Sequence, residues 1–503
     1  MAVFGIFGTE TARVASSVYY GLYALQHRGQ ASSGIVLNDD GVFHSYKDSG
    51  IVNEVFTPRV LESLGLGQMA IGNVRYGTAD TKDRINAEPI VVNHSKGRMA
   101  ISLDGKLVNS AQLKEEMELQ GSIFHTGNDA ELISAVIIKE RISSSSIEEA
   151  VCKAMDRLEG AYSLLVMSPQ KLIAVRDPRG MHPLCYGQRD DGEYVVSSET
   201  CALNSVGATL VRDIAPGEIL VFSKEGVRSI TERCGKEPEK MCVFEYLYTA
   251  RPDSIIAECS VHLARKRAGA FLAKAHPTEA DVVIGAPDSG IDAAIGYAEA
   301  SGIPYGLGLI KNKYIGRTFI DPGQNVREDK VKIKLNPVVE TVKGKRVILV
   351  DDSIVRGTTM TRVVKLLKDA GATEIHVRSS APRFLNPCYY GTDIASREVL
   401  IACNHTPEEM AKMFGADSVA FLPLEDVFKL GEGGKCKGYC AACFNGDYPT
   451  AEPMADKSKK YDQKISNAKN VYRGYPLMTG IPIDKFHCPT LLLWRIGFRS
   501  INF

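Results

Sequence analysis

The chain has 503 residues, 60 basic and 60 acidic side chains, and 44% hydrophobic residues. Balanced charge removes the electrostatic reason to expect nucleic acid or an anionic membrane as a partner, and no run reaches the ~18 apolar residues of a membrane span. What remains is a globular protein of two or three domains at roughly 150 residues each, expected in the cytoplasm because no basic start leads into an apolar run.

The opening stretch MAVFGIFGTE is an apolar strand bearing glycines, and YYGLYALQHRGQ follows as a helix. Together they resemble the first strand and helix of an N-terminal-nucleophile amidohydrolase. Such an enzyme attacks with a Cys, Ser or Thr at its free amino terminus. Here the chain begins Met1-Ala2-Val3, and its first cysteine is Cys152. Onward to about residue 235, AIGNVRYGTAD, GAYSLLVMSPQKLIAVRDP and EYVVSSET read as strands, rich in Val, Ile and Tyr and cut by Gly, Pro and Asp. TGNDAELISAVIIKERI and SIEEAVCKAMDRL have helical periodicity. Strands and helices in this mixture predict a layered α+β domain.

The rhythm changes near residue 236. ADVVIGAPDSG is a buried strand and loop, and IDAAIGYAEASG a helix closed by Gly302. KRVILVDDSIVRGTT is a second strand and loop, MTRVVKLLKDAGA a helix closed by Gly371, and TEIHVRSSAPR a third strand. Alternating strands and helices predict a parallel α/β sheet, whose ligands sit at the carboxyl ends of the strands. Both PDSG and DDSIVRGTT fall there. Residues 451–503 are polar, then apolar and aromatic, and carry no recognisable chemistry.

Val347 to Val350 fit a central strand, with Asp351 and Asp352 at its end. Paired carboxylates there suit sugar hydroxyls, a hydrated Mg²⁺, or both. Ser353, Arg356, Gly357, Thr358 and Thr359 form a loop entering a helix, where backbone N–H groups and hydroxyls bind phosphate. No Walker G-x-x-x-x-G-K-[ST] is present. The run of apolar strand, Asp-Asp and Gly-Thr-Thr resembles the phosphoribosyl pyrophosphate motif of type I phosphoribosyltransferases. The resemblance implies ribose and metal-shell contacts for Asp351 and Asp352, a 5-phosphate cradle at 353–359, and a metal-site contribution from Ser289. Lys311, Lys313, Arg317 and Arg327, with Gly316 and Gly323 between them, form a basic segment suited to closing over a polyphosphate.

LQHRGQ, RPDS, IGYAEASGIPY, KNKYIGRTFI and VDDSIVRGTT, in this order, closely resemble the glutamine phosphoribosylpyrophosphate amidotransferases over residues 1 to about 450. The resemblance implies an α+β N-terminal-nucleophile hydrolase sandwich (residues 1–235), then an α/β type I phosphoribosyltransferase domain (236–450) and a tail (451–503). It implies an amidophosphoribosyltransferase that opens purine biosynthesis, using phosphoribosyl pyrophosphate, Mg²⁺ and glutamine or ammonia. Homo-oligomers and inhibition by purine nucleotides are expected with it.

One branch of that family holds a four-iron, four-sulfur cluster. Cys242, Cys388, Cys440 and Cys443 match its ligand positions, with Cys436 a nearby substitute; zinc is the alternative, since four thiolates suit it too. Cys152, Cys185, Cys201, Cys234, Cys259, Cys403 and Cys488 read as small packing residues. In the amidase half, Met1 or Ala2 stands where the nucleophile is expected. Leu103, Asp104, Gly105 and Lys106 occupy the oxyanion-hole stretch, so a carboxylate replaces a neutral donor and opposes the charge that builds there. Arg75 and Asp129 match the residues that hold glutamine's carboxylate and amine. The expectation is a glutaminase fold without glutaminase activity and a transferase fed by ammonia. The alternative is a non-catalytic regulatory paralogue that binds phosphoribosyl pyrophosphate or nucleotides.

Overall fold

Val3 and Phe7 point to one side of the first strand, Ala2–Ala12, and Phe4 and Ile6 to the other, the period-2 alternation of a strand packed on both faces. The computed structural model describes residues 1–76, 84–312, 335–392, 394 and 396–454. Lys313, Arg317, Arg327 and the tail from 455 lie outside these. Strand Ala2–Ala12 pairs antiparallel with Gly67–Arg75, Val3 opposite Asn73, inside a seven-stranded sheet. A second antiparallel sheet of six strands includes Gly97–Leu107 and Gly160–Met167. Val3, Phe7, Ile71 and Val196 from one sheet meet Leu165, Ala174 and Phe222 from the other. Helices Asp129–Ser143 and Ile147–Met155 cover the outer face of the six-stranded sheet, and helix Val14–Ala24 that of the seven-stranded one. The first half is therefore a four-layer α/β/β/α sandwich.

In the second half, four parallel strands run in the order Val282–Gly285, Arg346–Asp351, Glu374–Ser379 and Ser418–Phe421. Val347 to Val350 are fully buried, as an apolar run between two helical layers should be. Helices Val261–Ala275 and Ile291–Ser301 pack on one face, Thr358–Asp369 and Pro407–Phe414 on the other. The expected stops at Gly302 and Gly371 are present, both at positive φ.

Short cross-connections hold the halves together. His182 pairs with the carbonyl of Tyr390 at 2.8 Å, and the amide of Cys242 donates to Met181 O at 2.9 Å. Among the described residues no helix is long and apolar enough to cross a membrane.

Candidate active site

The acidic pair closes the central strand of the second half. Asp352 is buried, and its carboxylate accepts from the hydroxyls of Ser289 and Ser353. The PDSG and DDSIVRGTT loops, far apart in sequence, are thereby tied at one edge of the sheet. Burial pushes the carboxyl pKa of both aspartates up, and for Asp351 repulsion by Asp352 adds to it. Two oxygen donors with raised pKa values make a pair that a cation or sugar hydroxyls would relieve.

The loop after them alternates. Ile354 is buried beneath it, and the carbonyl of the partly buried Val355 accepts from Ile401 N, while Arg356, Thr358 and Thr359 face solvent. Gly357 turns the chain into helix Thr358–Asp369 at φ 76°, and a Cβ there would lie 2.7 Å from Ile401 Cδ1. No side chain caps that helix, so its first N–H groups remain available to an anion. Lys311, on strand Leu309–Lys311, pairs with Asp288 of the PDSG loop. It reaches the site, but through a carboxylate rather than as an unpaired cation.

Cys242, Cys388, Cys440 and Cys443 line one cavity, with His182, Phe244, Phe384, Tyr390 and Tyr448 in its walls. The parallel pair Met241–Cys242 and Tyr439–Cys440 sets Cys242 beside Cys440. Burial and then mutual repulsion push the Cys242 and Cys443 thiols up; burial lifts Cys440 to about 12. Tyr390 N donates to Cys388 Sγ at 3.4 Å. Cys436 is not in this cavity. Its thiol donates to Gly438 O at 3.1 Å, so the expectation that it can substitute for a ligand fails on position. Among the described residues no three His, Cys, Asp or Glu side chains come together closely enough to hold a single ion.

In the first half, Ala2 is a buried residue of the first strand, and the carbonyl of Met1 accepts from Arg28 Nε at 3.0 Å. Arg28 is buried and all its N–H groups are used. It grips Glu245 with both Nη atoms at 2.7 and 2.8 Å, Glu199 at 2.9 Å and Asp104 at 3.2 Å. Ser198 also donates to Asp104, at 3.2 Å, and the Met1 amine lies 3.6 Å away. The carboxylate at 104 is thus paired with Arg28, a cation it shares with Glu199 and Glu245.

Burial works to raise Glu245's pKa, but Arg28 and His182 outweigh it and hold it at about 2. Glu199 collects five donors: His27 Nε2, Arg28 Nη1, Arg251 N, Ser254 Oγ and Cys201 Sγ. Burial opposes its ionisation too, and His27 and Arg28 override it.

Of the glutamine-holding candidates, Arg75 is buried and donates to Asn86 O at 2.5 Å, and its Nε has no hydrogen-bond partner among the described residues. Asp129 starts helix Asp129–Ser143 and accepts from Leu107 N at 2.9 Å. Sequence reasoning passed over Glu199, Glu245 and His182. The available signal was a carboxylate set in apolar surroundings, as in CVFEYLY, where an ion must be paired to be buried.

Two family models match the chain: a glutamine amidotransferase domain over residues 78–205 and a phosphoribosyl transferase domain over 261–391. An amidophosphoribosyltransferase of Methanocaldococcus jannaschii is 46% identical over 463 residues, covering 89% of this chain and 97% of that one. The Bacillus subtilis amidophosphoribosyltransferase is 46% identical over 454 residues, covering 89% and 94%. Among solved structures, an allosteric regulatory enzyme of purine biosynthesis superposes with a TM-score of 0.84 at 45% identity, covering 91% and 97%. A B. subtilis glutamine phosphoribosylpyrophosphate amidotransferase, complexed with ADP and GMP, superposes with a TM-score of 0.82 at 45% identity, covering 90% and 98%.

Proposed function

The chain belongs to the amidophosphoribosyltransferase family, and we propose that it makes 5-phosphoribosylamine from phosphoribosyl pyrophosphate with ammonia as the nitrogen donor. This is the first step of de novo purine biosynthesis. The observation that carries the reading is a contrast between halves. Asp352 is knotted to Ser289 and Ser353 beside an uncapped helix start, whereas Asp104 is locked to Arg28 where the amidase needs a neutral donor.

In this reading the N–H groups and hydroxyls of 353–359 hold the 5-phosphate, and Asp351 and Asp352 meet the ribose hydroxyls. Lys311, with Arg317 from the segment outside the described residues, serves the pyrophosphate end. The oxygen donors Ser289, Asp351 and Asp352 fit Mg²⁺, which keeps several waters and takes one or two carboxylates plus substrate phosphates, so a closed protein cage is not required. When bound, Mg²⁺ stabilises charge on the leaving pyrophosphate. Arg75 and Asp129 remain as a glutamine-binding remnant. Purine nucleotides are the inhibitor class we expect, in a cytoplasmic homo-oligomer.

The test compares nitrogen donors. Pyrophosphate release is expected with ammonium, and with glutamine at a rate at least ~10²-fold lower, the cost of losing one oxyanion donor. Equal rates with both donors contradict the reading of the first half. Release with neither favours the regulatory alternative.

For the cysteine cavity we propose a [4Fe–4S] cluster on Cys242, Cys388, Cys440 and Cys443. Four thiols lining one cavity suit a group with one ligand per iron. Zinc is the alternative, since four thiolates at ~2.3 Å suit it too. The cluster would act structurally, tying the late segment to both halves. Anaerobically purified protein is expected to contain about four irons per chain with visible absorbance. Cys443→Ser should lose most of both and melt at a lower temperature; zinc at one per chain would contradict the assignment.

A further inference from the structure

His262 lies two hydrogen-bonded steps from the first half, in the helix that follows the RPDS stretch. It is the second residue of helix Val261–Ala275, and its Nδ1 lies 2.8 Å from Asp292 Oδ1. Asp292 is the second residue of helix Ile291–Ser301, three positions after Ser289, whose hydroxyl donates to Asp352. That helix starts at the carboxyl edge of strand Val282–Gly285, so the imidazole shares an edge of the sheet with the phosphoribosyl loops.

From the other side, Val261 N donates to Ser254 O and His262 N to Pro252 O, both at 3.1 Å. The Ser254 hydroxyl and the Arg251 amide in turn donate to Glu199, which holds Arg28. Hydrogen bonds therefore lead from the amidase-like pocket to the backbone of His262, and its side-chain partner Asp292 is three residues of chain from Ser289.

The geometry of this pair is fixed by backbone contact. A Cβ on Gly269 would lie 1.8 Å from Ala293 O, and one on Gly296 2.0 Å from Lys266 O, so the two helices touch without side chains between them. The His262 side chain is 42% exposed and Asp292's 11%. Arg265 Nη1 lies 3.9 Å from Asp292 Oδ2, which has no hydrogen-bond partner among the described residues. A buried carboxylate holding Nδ1–H leaves Nε2 as the basic nitrogen of a half-exposed imidazole.

We propose that His262 is the base that takes the proton from the incoming nitrogen, with Asp292 as its positioning residue. The ammonia lone pair forms the bond to the anomeric carbon. The bond from that carbon to the pyrophosphate oxygen breaks, and its electron pair leaves on pyrophosphate. As the carbon–nitrogen bond forms, the surplus proton on nitrogen passes to His262 Nε2 in the transition state, Asp292 stabilises the imidazolium, and the exposed face of the ring returns the proton to water.

This rests on the ammonia-transfer reading, so the unaltered protein is assayed first; no pyrophosphate release from ammonium chloride and phosphoribosyl pyrophosphate removes that reading and this one with it. Given activity, His262→Gln keeps a polar partner for Asp292 but cannot take the proton. Its kcat should fall ~10²-fold or more, with KM for phosphoribosyl pyrophosphate unchanged. His262→Gly should fall similarly and recover part of its rate on adding imidazole, which a purely structural role would not allow. If His262→Gly does not fold, His262→Gln decides alone. A full kcat in His262→Gln, a loss confined to KM, or a folded His262→Gly that imidazole does not rescue overturns the assignment.

Discussion

Replacing Asp351 and Asp352 together by asparagine is expected to lower kcat/KM for phosphoribosyl pyrophosphate by at least ~10³-fold, because in the proposed reading each aspartate meets charge or hydroxyls at the reacting sugar. The fold should survive. Both carboxyl pKa values are raised by burial, so in the free protein the ionised pair is a strained arrangement. Removing the ionisable groups should leave the melting temperature unchanged or higher. Asparagine at 352 keeps a carbonyl oxygen for the Ser289 hydroxyl. An equal loss of activity and stability would mean that the pair is architectural. Retained activity would mean that the substrate binds elsewhere.

The second large effect concerns Arg28. Arg28→Met leaves Glu245, Glu199 and Asp104 buried without their shared cation. Breaking a buried pair from one side costs about 3–5 kcal/mol, and three carboxylates depend on this one guanidinium. Chemical denaturation at neutral pH should show at least that loss. Its pH dependence follows from the sign of the shift. Glu245 sits at about 2 in the folded protein against 4.5 ordinarily. Its contribution is fully present above pH ~4.5 and fades as pH falls toward 2. In Arg28→Met the carboxylates protonate more readily, so the gap between variant and parent should narrow as the pH is lowered toward 5. A gap that stays constant or widens would show that the ion pairs do not set the stability of this core.

What the sequence reveals here depends on how local each signal is. Val347 to Val350, the adjacent acids and the Gly-Thr-Thr turn lie within thirteen residues, so the strand, loop and helix can be read in one pass, and the structure has them in that order. Glycine stops at 302 and 371 are equally local, because a positive φ marks them whatever the rest of the chain does.

The ionic core is the opposite case. Arg28 and Glu245 are 217 residues apart and Arg28 and Glu199 are 171 apart. No periodicity links them: the fold of the first half brings Glu199 to Arg28, and the meeting of the two halves brings Glu245. The same distance effect changed the reading of Asp104. Taken alone it is a bare anion; in place it is paired with an arginine 76 positions away that two other carboxylates share. Cys436 misleads for the converse reason. It is four residues from Cys440 in the chain, but pairing Cys440 with Cys242 carries the strand into the cavity and leaves Cys436 behind. His262 and Asp292 carry no motif at all, and their pairing depends on two glycines that let the helices touch.

The central claim is that the acidic strand end and the loop after it grip an activated sugar phosphate. Calorimetric titration of the full chain with phosphoribosyl pyrophosphate and magnesium tests this directly. One saturable binding event per chain, absent from the Asp351→Asn, Asp352→Asn double variant, is the predicted result. No heat of binding to the parent, or the same heat from the double variant, would contradict the account.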